Sequence, residues 1–266
     1  MIKLIATDMD GTFLNAASTY DKEHFSKVLD QLNKKGIVFA AASGRQLLSL
    51  QNVFSDFKDQ MAFVAENGAI VTYNDEILFE EVMSMDDVKK ILDLVSQNER
   101  FIGQKILLSG EKGFYIFENS DPDYLEKSKI YYSNLNIIKS LDEVDDKILK
   151  LSANLPADYI LEFESWLNSR IGDYRAVTTG FEGLDIIPSH INKATGLEKL
   201  AEKLNIGPDE IAAFGDNHND LEMLEYAGHS YAVDNAREKV KSVSENIIGH
   251  HDTGAVIDEI EKIIHL

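Results

Sequence analysis

Apolar and polar positions follow one another along this chain in two rhythms. Met1 to Thr7 is a short, β-branched apolar run that stops at Asp8-Met9-Asp10-Gly11-Thr12. Such a run predicts a strand covered on both faces within a parallel sheet. Asp21 to Lys35 places Phe25, Val28, Leu29 and Leu32 at helical spacing, and Lys34-Lys35-Gly36 supplies a C-terminal stop. Ile37 to Ala42 predicts a second strand, ending at Ser43-Gly44-Arg45. Gln46 to Phe57 suits a helix, and Met61 to Ala65 a third strand ending at Glu66-Asn67-Gly68-Ala69. Strands alternating with helices predict a right-handed parallel α/β sheet.

The rhythm changes near Met83. Asp86 is expected to cap a helix carrying Val88, Ile91, Leu92 and Val95 on one side. β-like runs follow at Lys105 to Leu108, Gly113 to Glu118, Ile148 to Asn154 and Tyr174 to Thr178. Asn119 to Pro122 reads as a turn, and Pro156 precedes a helix with Ile160, Phe163 and Leu167 aligned. This is α+β in style. The first style resumes at Leu184-Asp185-Ile186-Ile187-Pro188, followed by a helix from Lys193 to Leu204 and a strand from Ile211 to Phe214. Ser230 to Val233 predicts a strand, and Asn235 to Ser244 and Gly254 to Ile264 predict the closing helices. The expected organisation is an α/β core at 1–83 and 184–266, interrupted by an α+β insert at 84–183.

Composition narrows the function. Among 266 residues, 46 acidic against 26 basic give a net charge of -20, a field that repels nucleic acid and anionic membranes. Any anion site must then be built locally, from a cation, a few basic side chains and helix N-termini. The absence of cysteine rules out disulfides and thiolate metal sites, so the expected compartment is the reducing cytoplasm. No apolar run reaches the ~20 residues of a membrane helix, and no signal peptide is evident.

The core strands and helices end in polar clusters: Asp8 with Asp10, Ser43 with Arg45, Lys193 at a helix start, and Asp216 with Asn219 and Asp220. In a parallel sheet such ends converge on one side. Carboxylates meeting there repel one another unless a divalent cation sits among them. An oxygen-only set without cysteine favours Mg²⁺ over zinc, and a nearby serine and lysine suit phosphoryl oxygens. Each cluster also has a plain alternative. Ser43 could cap the next helix, Lys193 could be solvated, and Asp216 to Asp220 could be an ordinary loop with Asn219 as N-cap. His218 reads as a surface histidine and His250-His251 as a solvated loop. The combination, in this order, favours chemistry.

Asp8-Met9-Asp10-Gly11-Thr12, Ala42-Ser43-Gly44-Arg45, Asn192-Lys193-Ala194-Thr195-Gly196 and Gly215-Asp216-Asn217-His218-Asn219-Asp220 resemble the four motifs of the haloacid dehalogenase superfamily of phosphatases. The insert resembles the large cap of its Cof-type sugar-phosphatase branch (subfamily IIB), as do Glu66-Asn67-Gly68-Ala69 and Val233-Asp234-Asn235-Ala236. His250-His251-Asp252-Thr253-Gly254 departs from that branch, which more often has asparagine and acidic residues before the glycine.

The resemblance implies a Rossmann-like core and a Mg²⁺-dependent phosphomonoesterase acting on small phosphorylated metabolites, sugar phosphates first among them. It implies Asp8 as nucleophile and Asp10 as general acid and then base, with its backbone carbonyl on Mg²⁺. Asp8 and Asp216 would give metal carboxylates, supported by Asp220. Ser43, the Gly44 amide, Arg45, the Met9 amide, Lys193 and Asn219 would serve the phosphoryl group, with Asn219 turned to Lys193 or a phosphoryl oxygen. Specificity would lie in insert loops such as 119–123 and 178–182. Rival readings are a pyridoxal-phosphate or nucleotide phosphatase, a phosphomutase, and a signalling module phosphorylated on Asp8. A monomer or homodimer is expected, with no nucleic-acid or membrane partner.

Overall fold

Leu4, Ile5, Ala6 and Thr7 are fully buried, and the strand they form lies inside a sheet with neighbours on both sides. The computed structural model describes residues 1–98, 100, 105–132, 134–180 and 182–265. These form two compact units, one of residues 1–79 with 192–266 and one of residues 80–191.

The first unit opens with β1 (Leu4–Thr7), α1 (Lys22–Lys35), β2 (Val38–Ala42), α2 (Leu47–Val53) and β3 (Ala62–Ala65). Asp21 accepts from the His24 amide and so caps α1, and Gly36 ends it at φ 69°. Phe25, Val28, Leu29 and Leu32 are the buried stripe, as the spacing predicts. β4 (Ile70–Tyr73) and β5 (Glu76–Glu80) are joined by Asn74 and Asp75, both at positive φ. Two adjacent left-handed residues suit a tight hairpin turn.

The second unit is described by itself. It contains α3 (Met85–Ser96), β6 (Ile106–Gly110), β7 (Phe114–Phe117), α4 (Pro122–Tyr131), β8 (Leu135–Ile138), β9 (Ile148–Asn154), α5 (Ile160–Asn168), β10 (Tyr174–Gly180) and β11 (Gly183–Pro188). Ser84 rather than Asp86 caps α3, accepting from the Asp87 amide. The sheet order is β10-β11-β9-β6-β7-β8. Alternation sorts its residues. Ile106, Leu108, Leu151, Ala153, Leu184 and Ile186 join one buried cluster with residues of α3 and α5, while Leu107, Phe114 and Ile116 form another with Tyr124 and Leu125 of α4.

Two expectations change here. Leu184 to Pro188 does not resume the parallel sheet; β11 pairs antiparallel with β9 and β10. A short apolar run reports burial but not strand direction. The 119–123 segment is no free loop either, since Asp121 accepts from the Tyr124 amide and caps α4. In the 178–182 segment Thr178 belongs to β10, and Phe181 lies outside the described residues.

The first unit then resumes with α6 (Lys193–Leu204), β12 (Ile211–Gly215), α7 (Leu221–Tyr226), β13 (His229–Val233), α8 (Glu238–Val243), β14 (Asn246–Ile248) and α9 (Ala255–His265). Its sheet runs β14-β13-β12-β1-β2-β3-β4-β5, parallel from β14 to β3 with β4 antiparallel to β3. β1 therefore sits between β12 and β2, which brings the ends bearing Asp8, Asp216 and Ser43 side by side. No helix among the described residues is long and apolar enough to cross a membrane.

Candidate active site

The loop leaving β1 is set by both its backbone and its aromatic anchor. The Asp8 amide donates to the Phe214 carbonyl at 2.9 Å, and the Met9 carbonyl accepts from Leu14 at 2.8 Å. Met9 itself is fully buried. Phe13, 3% exposed, packs its ring 5.2 Å from those of Tyr20 and Phe25 and so ties the loop to α1. Gly11 turns at φ +85°, where a Cβ would stand 2.8 Å from Asp216 Oδ2. Only glycine allows the loop to pass so close to that carboxylate.

Lys193 is the first residue of α6, whose N-cap, Asn192, accepts from the Thr195 amide. It is fully buried. Its Nζ donates to Asp8 Oδ1 at 2.5 Å and to Asp220 Oδ1 at 2.6 Å. The start of α6 can reach this place because two glycines touch. A Cβ on Gly68 would collide with the Asn192 carbonyl, and one on Gly196 would lie 2.5 Å from Val64 Cγ1 and 2.8 Å from Gly68 Cα.

Asp220 is also fully buried, and its second oxygen accepts from the Asp216 and Asn217 amides at 3.0 Å each. Asp216 Oδ1 accepts from the Thr12 hydroxyl at 3.1 Å. Ligand-capable oxygens of Asp8, Asp216 and Asp220 lie within 4.8 Å of one another. Three acids thus face one ammonium. Burial pushes the Asp8 carboxyl well above its usual range against the pull of Lys193, and the charges of Asp220 and Asp216 add to the rise. Burial, then the charge of Asp220, lifts Asp216 to about 6. Burial works to discharge Lys193, but Asp220 and Asp8 outweigh it and hold the ammonium above its ordinary value.

Not every candidate joins this cluster. The Asp10 carboxylate is exposed and turned to Arg45, which donates from Nε to Oδ2 at 2.8 Å and from Nη2 to Oδ1 at 2.5 Å. Asp10 therefore supplies no side-chain oxygen to the acidic triad, and the Arg45 guanidinium is committed to it. An arginine fork one strand away matches a carboxylate better than a crowded group of like charges does. Ser43 is buried, but its hydroxyl accepts from the Arg45 amide at 3.1 Å instead of capping α2. Gly44 sits against Asn67, where a Cβ would lie 3.0 Å from Oδ1. Asn219 is half-buried in the turn before α7, but Lys193 is held by Asp8 and Asp220 instead, and Asp220 is the residue at the N-cap of α7. His218 is exposed, as read from the sequence.

Sequence reasoning missed Thr12 and left Asn235 without a task. Asn235 Nδ2 donates to the Gly11 carbonyl at 2.7 Å, and its Oδ1 accepts from the His251 amide at 3.0 Å. The signal was available: Asn235 follows the end of β13, the next parallel strand along. The His250-His251 loop is not simply solvated, because the His251 ring contacts the Leu14 carbonyl.

The sequence profile of the haloacid dehalogenase-like hydrolases matches residues 5–260. The Escherichia coli protein YbjI, named 5-amino-6-(5-phospho-D-ribitylamino)uracil phosphatase, is 33% identical over 265 residues, covering 99% of this chain and 96% of that one. YitU of Bacillus subtilis carries the same enzyme name and is 24% identical, covering 99% and 98%. Among solved structures, SMU.1108c of Streptococcus mutans aligns over 100% of both chains with a TM-score of 0.91 at 29% identity.

Proposed function

The chain belongs to the haloacid dehalogenase-like hydrolases and is a phosphatase, and on that premise we propose that it cleaves small phosphorylated sugars and sugar alcohols through an aspartyl-phosphate on Asp8. One observation carries this reading: a buried carboxylate at the end of the central strand, held 2.5 Å from a buried ammonium and ringed by two further acids. Lys193 offsets the repulsion an incoming phosphate dianion would meet from those acids.

In the first half-reaction an Asp8 oxygen attacks phosphorus while the bond to the leaving oxygen breaks. Asp10, freed from Arg45, gives that oxygen its proton. In the second half Asp10 takes a proton from water, the water oxygen bonds phosphorus, and the bond to Asp8 breaks. Inorganic phosphate and the original carboxylate result. The Ser43 hydroxyl, the Gly44 amide and Lys193 hold phosphoryl oxygens. Thr12 orients Asp216, and Asp220 positions Lys193.

The cluster also fits Mg²⁺. One buried lysine cannot balance three carboxylates, two of which are shifted toward protonation, and every donor is oxygen. Asp8, Asp216 and the Asp10 carbonyl would hold the ion, which would neutralise developing charge on the phosphoryl group.

Three relatives bear the name of a ribityl phosphate phosphatase, which supports a phosphorylated polyol chain as the leaving group. Residues 80–191 would read the rest of the substrate. The test is turnover with Mg²⁺ on a panel containing 5-amino-6-(5-phospho-D-ribitylamino)uracil, hexose phosphates, nucleotides and pyridoxal phosphate. The highest kcat/KM is expected among the first two groups. A tenfold preference for a nucleotide or pyridoxal phosphate would overturn the substrate class.

A further inference from the structure

Between β14 and α9 the chain carries His250, His251 and Asp252, which phosphate-ester cleavage does not use. Ligand-capable atoms of the three lie within 4.8 Å of one another. His250 Nδ1 is 3.6 Å from Asp252 Oδ2, and His251 Nε2 is 3.8 Å from Asp252 Oδ1. Both separations exceed a hydrogen bond. They suit donors that share one small ion, each about 2.0–2.2 Å from it.

The His251 tautomer follows from its neighbour. Nδ1 lies 2.7 Å from the Leu14 carbonyl, and a carbonyl oxygen can only accept. Nδ1 therefore carries the proton, which leaves Nε2 of the neutral ring bare on the side of Asp252. Histidine ligands to metals are commonly fixed in this way, by a backbone carbonyl behind the ring. His250 Nδ1 accepts from the Asp252 amide at 3.3 Å, a long bond that an ion on this nitrogen would replace. Asp252 Oδ1 is held by the Ala16 amide at 2.7 Å. The His251 ring is largely covered, 14% exposed, whereas His250 and Asp252 remain open to solvent.

We propose that His250, His251 and Asp252 form a second cation site, for a zinc-class transition ion. Two imidazole nitrogens and one carboxylate oxygen select zinc, cobalt or nickel over magnesium and leave a position for water. The surplus of acidic residues draws cations to the surface. Occupancy ties the 14–16 loop, which follows the acidic site, to the loop before α9. The proposal stands whether or not Asp8 is the nucleophile.

The test uses the full chain with Mg²⁺ in large excess. Zn²⁺ is titrated by calorimetry and Co²⁺ by its visible absorption. One Zn²⁺ per chain is expected, with a cobalt band typical of nitrogen-bearing four-coordinate sites. Both are lost in His250→Ala, whose Mg²⁺-dependent turnover is unchanged. Asp252→Asn, which keeps an acceptor for the Ala16 amide, weakens Zn²⁺ at least tenfold, whereas Asp216→Asn leaves its stoichiometry intact. At about 100-fold over Kd, Zn²⁺ raises the wild-type Tm by roughly 5 °C and that of His250→Ala not at all. No saturable Zn²⁺ uptake in the presence of Mg²⁺, or uptake indifferent to His250→Ala, would overturn it.

Discussion

Arg45 and Asp10 meet as a two-pronged pair, Nε to Oδ2 at 2.8 Å and Nη2 to Oδ1 at 2.5 Å, and the pair holds Asp10 apart from the other site carboxylates. Both side chains are substantially solvated, 28% and 54% exposed, so the bond contributes little to stability. Its effect is on placement.

Asp10→Asn is expected to lower kcat/KM, which reports the steps up to the aspartyl-phosphate, about 10²–10⁴-fold on an alkyl phosphate. The loss should be much smaller on p-nitrophenyl phosphate, whose leaving group departs without a proton. Arg45→Ala should change stability by less than about 1 kcal/mol. Steady-state rates on the two substrates check the role, and equal losses on both would remove Asp10 as leaving-group acid.

Asp8→Asn should cut turnover by at least about 10³-fold without unfolding the chain. Rapid acid quench of the wild type with labelled substrate should trap phosphate on protein, and the variant should trap none. Labelled protein from the variant would move the nucleophile elsewhere.

Lys193→Met leaves two buried carboxylates facing each other. Breaking a buried ion pair from one side costs about 3–5 kcal/mol. Urea unfolding in chelator should show that loss, and Mg²⁺ should recover part of it. A variant as stable as wild type in chelator would mean that the acids are already protonated there.

Asp216 makes the metal-free protein sensitive to pH. Its carboxyl titrates near 3.8 when unfolded and is raised to about 6 when folded, first by burial and then by Asp220. Between those values the folded state keeps a proton that the unfolded state has released. The stabilisation is thus complete below about pH 4 and disappears as pH rises through 6. For a half-buried carboxyl it amounts to on the order of 2 kcal/mol. Urea midpoints in chelator should fall from pH 4 to 7 more steeply in wild type than in Asp216→Asn, and Mg²⁺ should flatten the wild-type slope. Parallel slopes for the two proteins would contradict the shift.

Much of the first unit was legible because its signals are local. The Phe25-Val28-Leu29-Leu32 stripe, the Gly36 stop, the Lys193 helix start and the acids at strand ends each follow from residues close in sequence. What escaped depends on partners far along the chain. Leu184 to Pro188 looked like a returning parallel strand because burial, not direction, is written in its composition. The turn of Asp10 to Arg45 and the reach of Asn235 to the Gly11 carbonyl join groups 35 and 224 residues apart. The Thr12 bond to Asp216 spans 204. No spacing rule reports such pairs, although the neighbouring strand ends narrow the choice.

The contact of Gly68 with Gly196 acts as a clasp. It joins the stretch just before the chain departs at Phe79 to the stretch just after it returns at Asn192, backbone against backbone, with no long side chain between them. The buried lysine at the start of α6 is thereby seated against the acids by contacts internal to one unit, none of which uses residues 80–191.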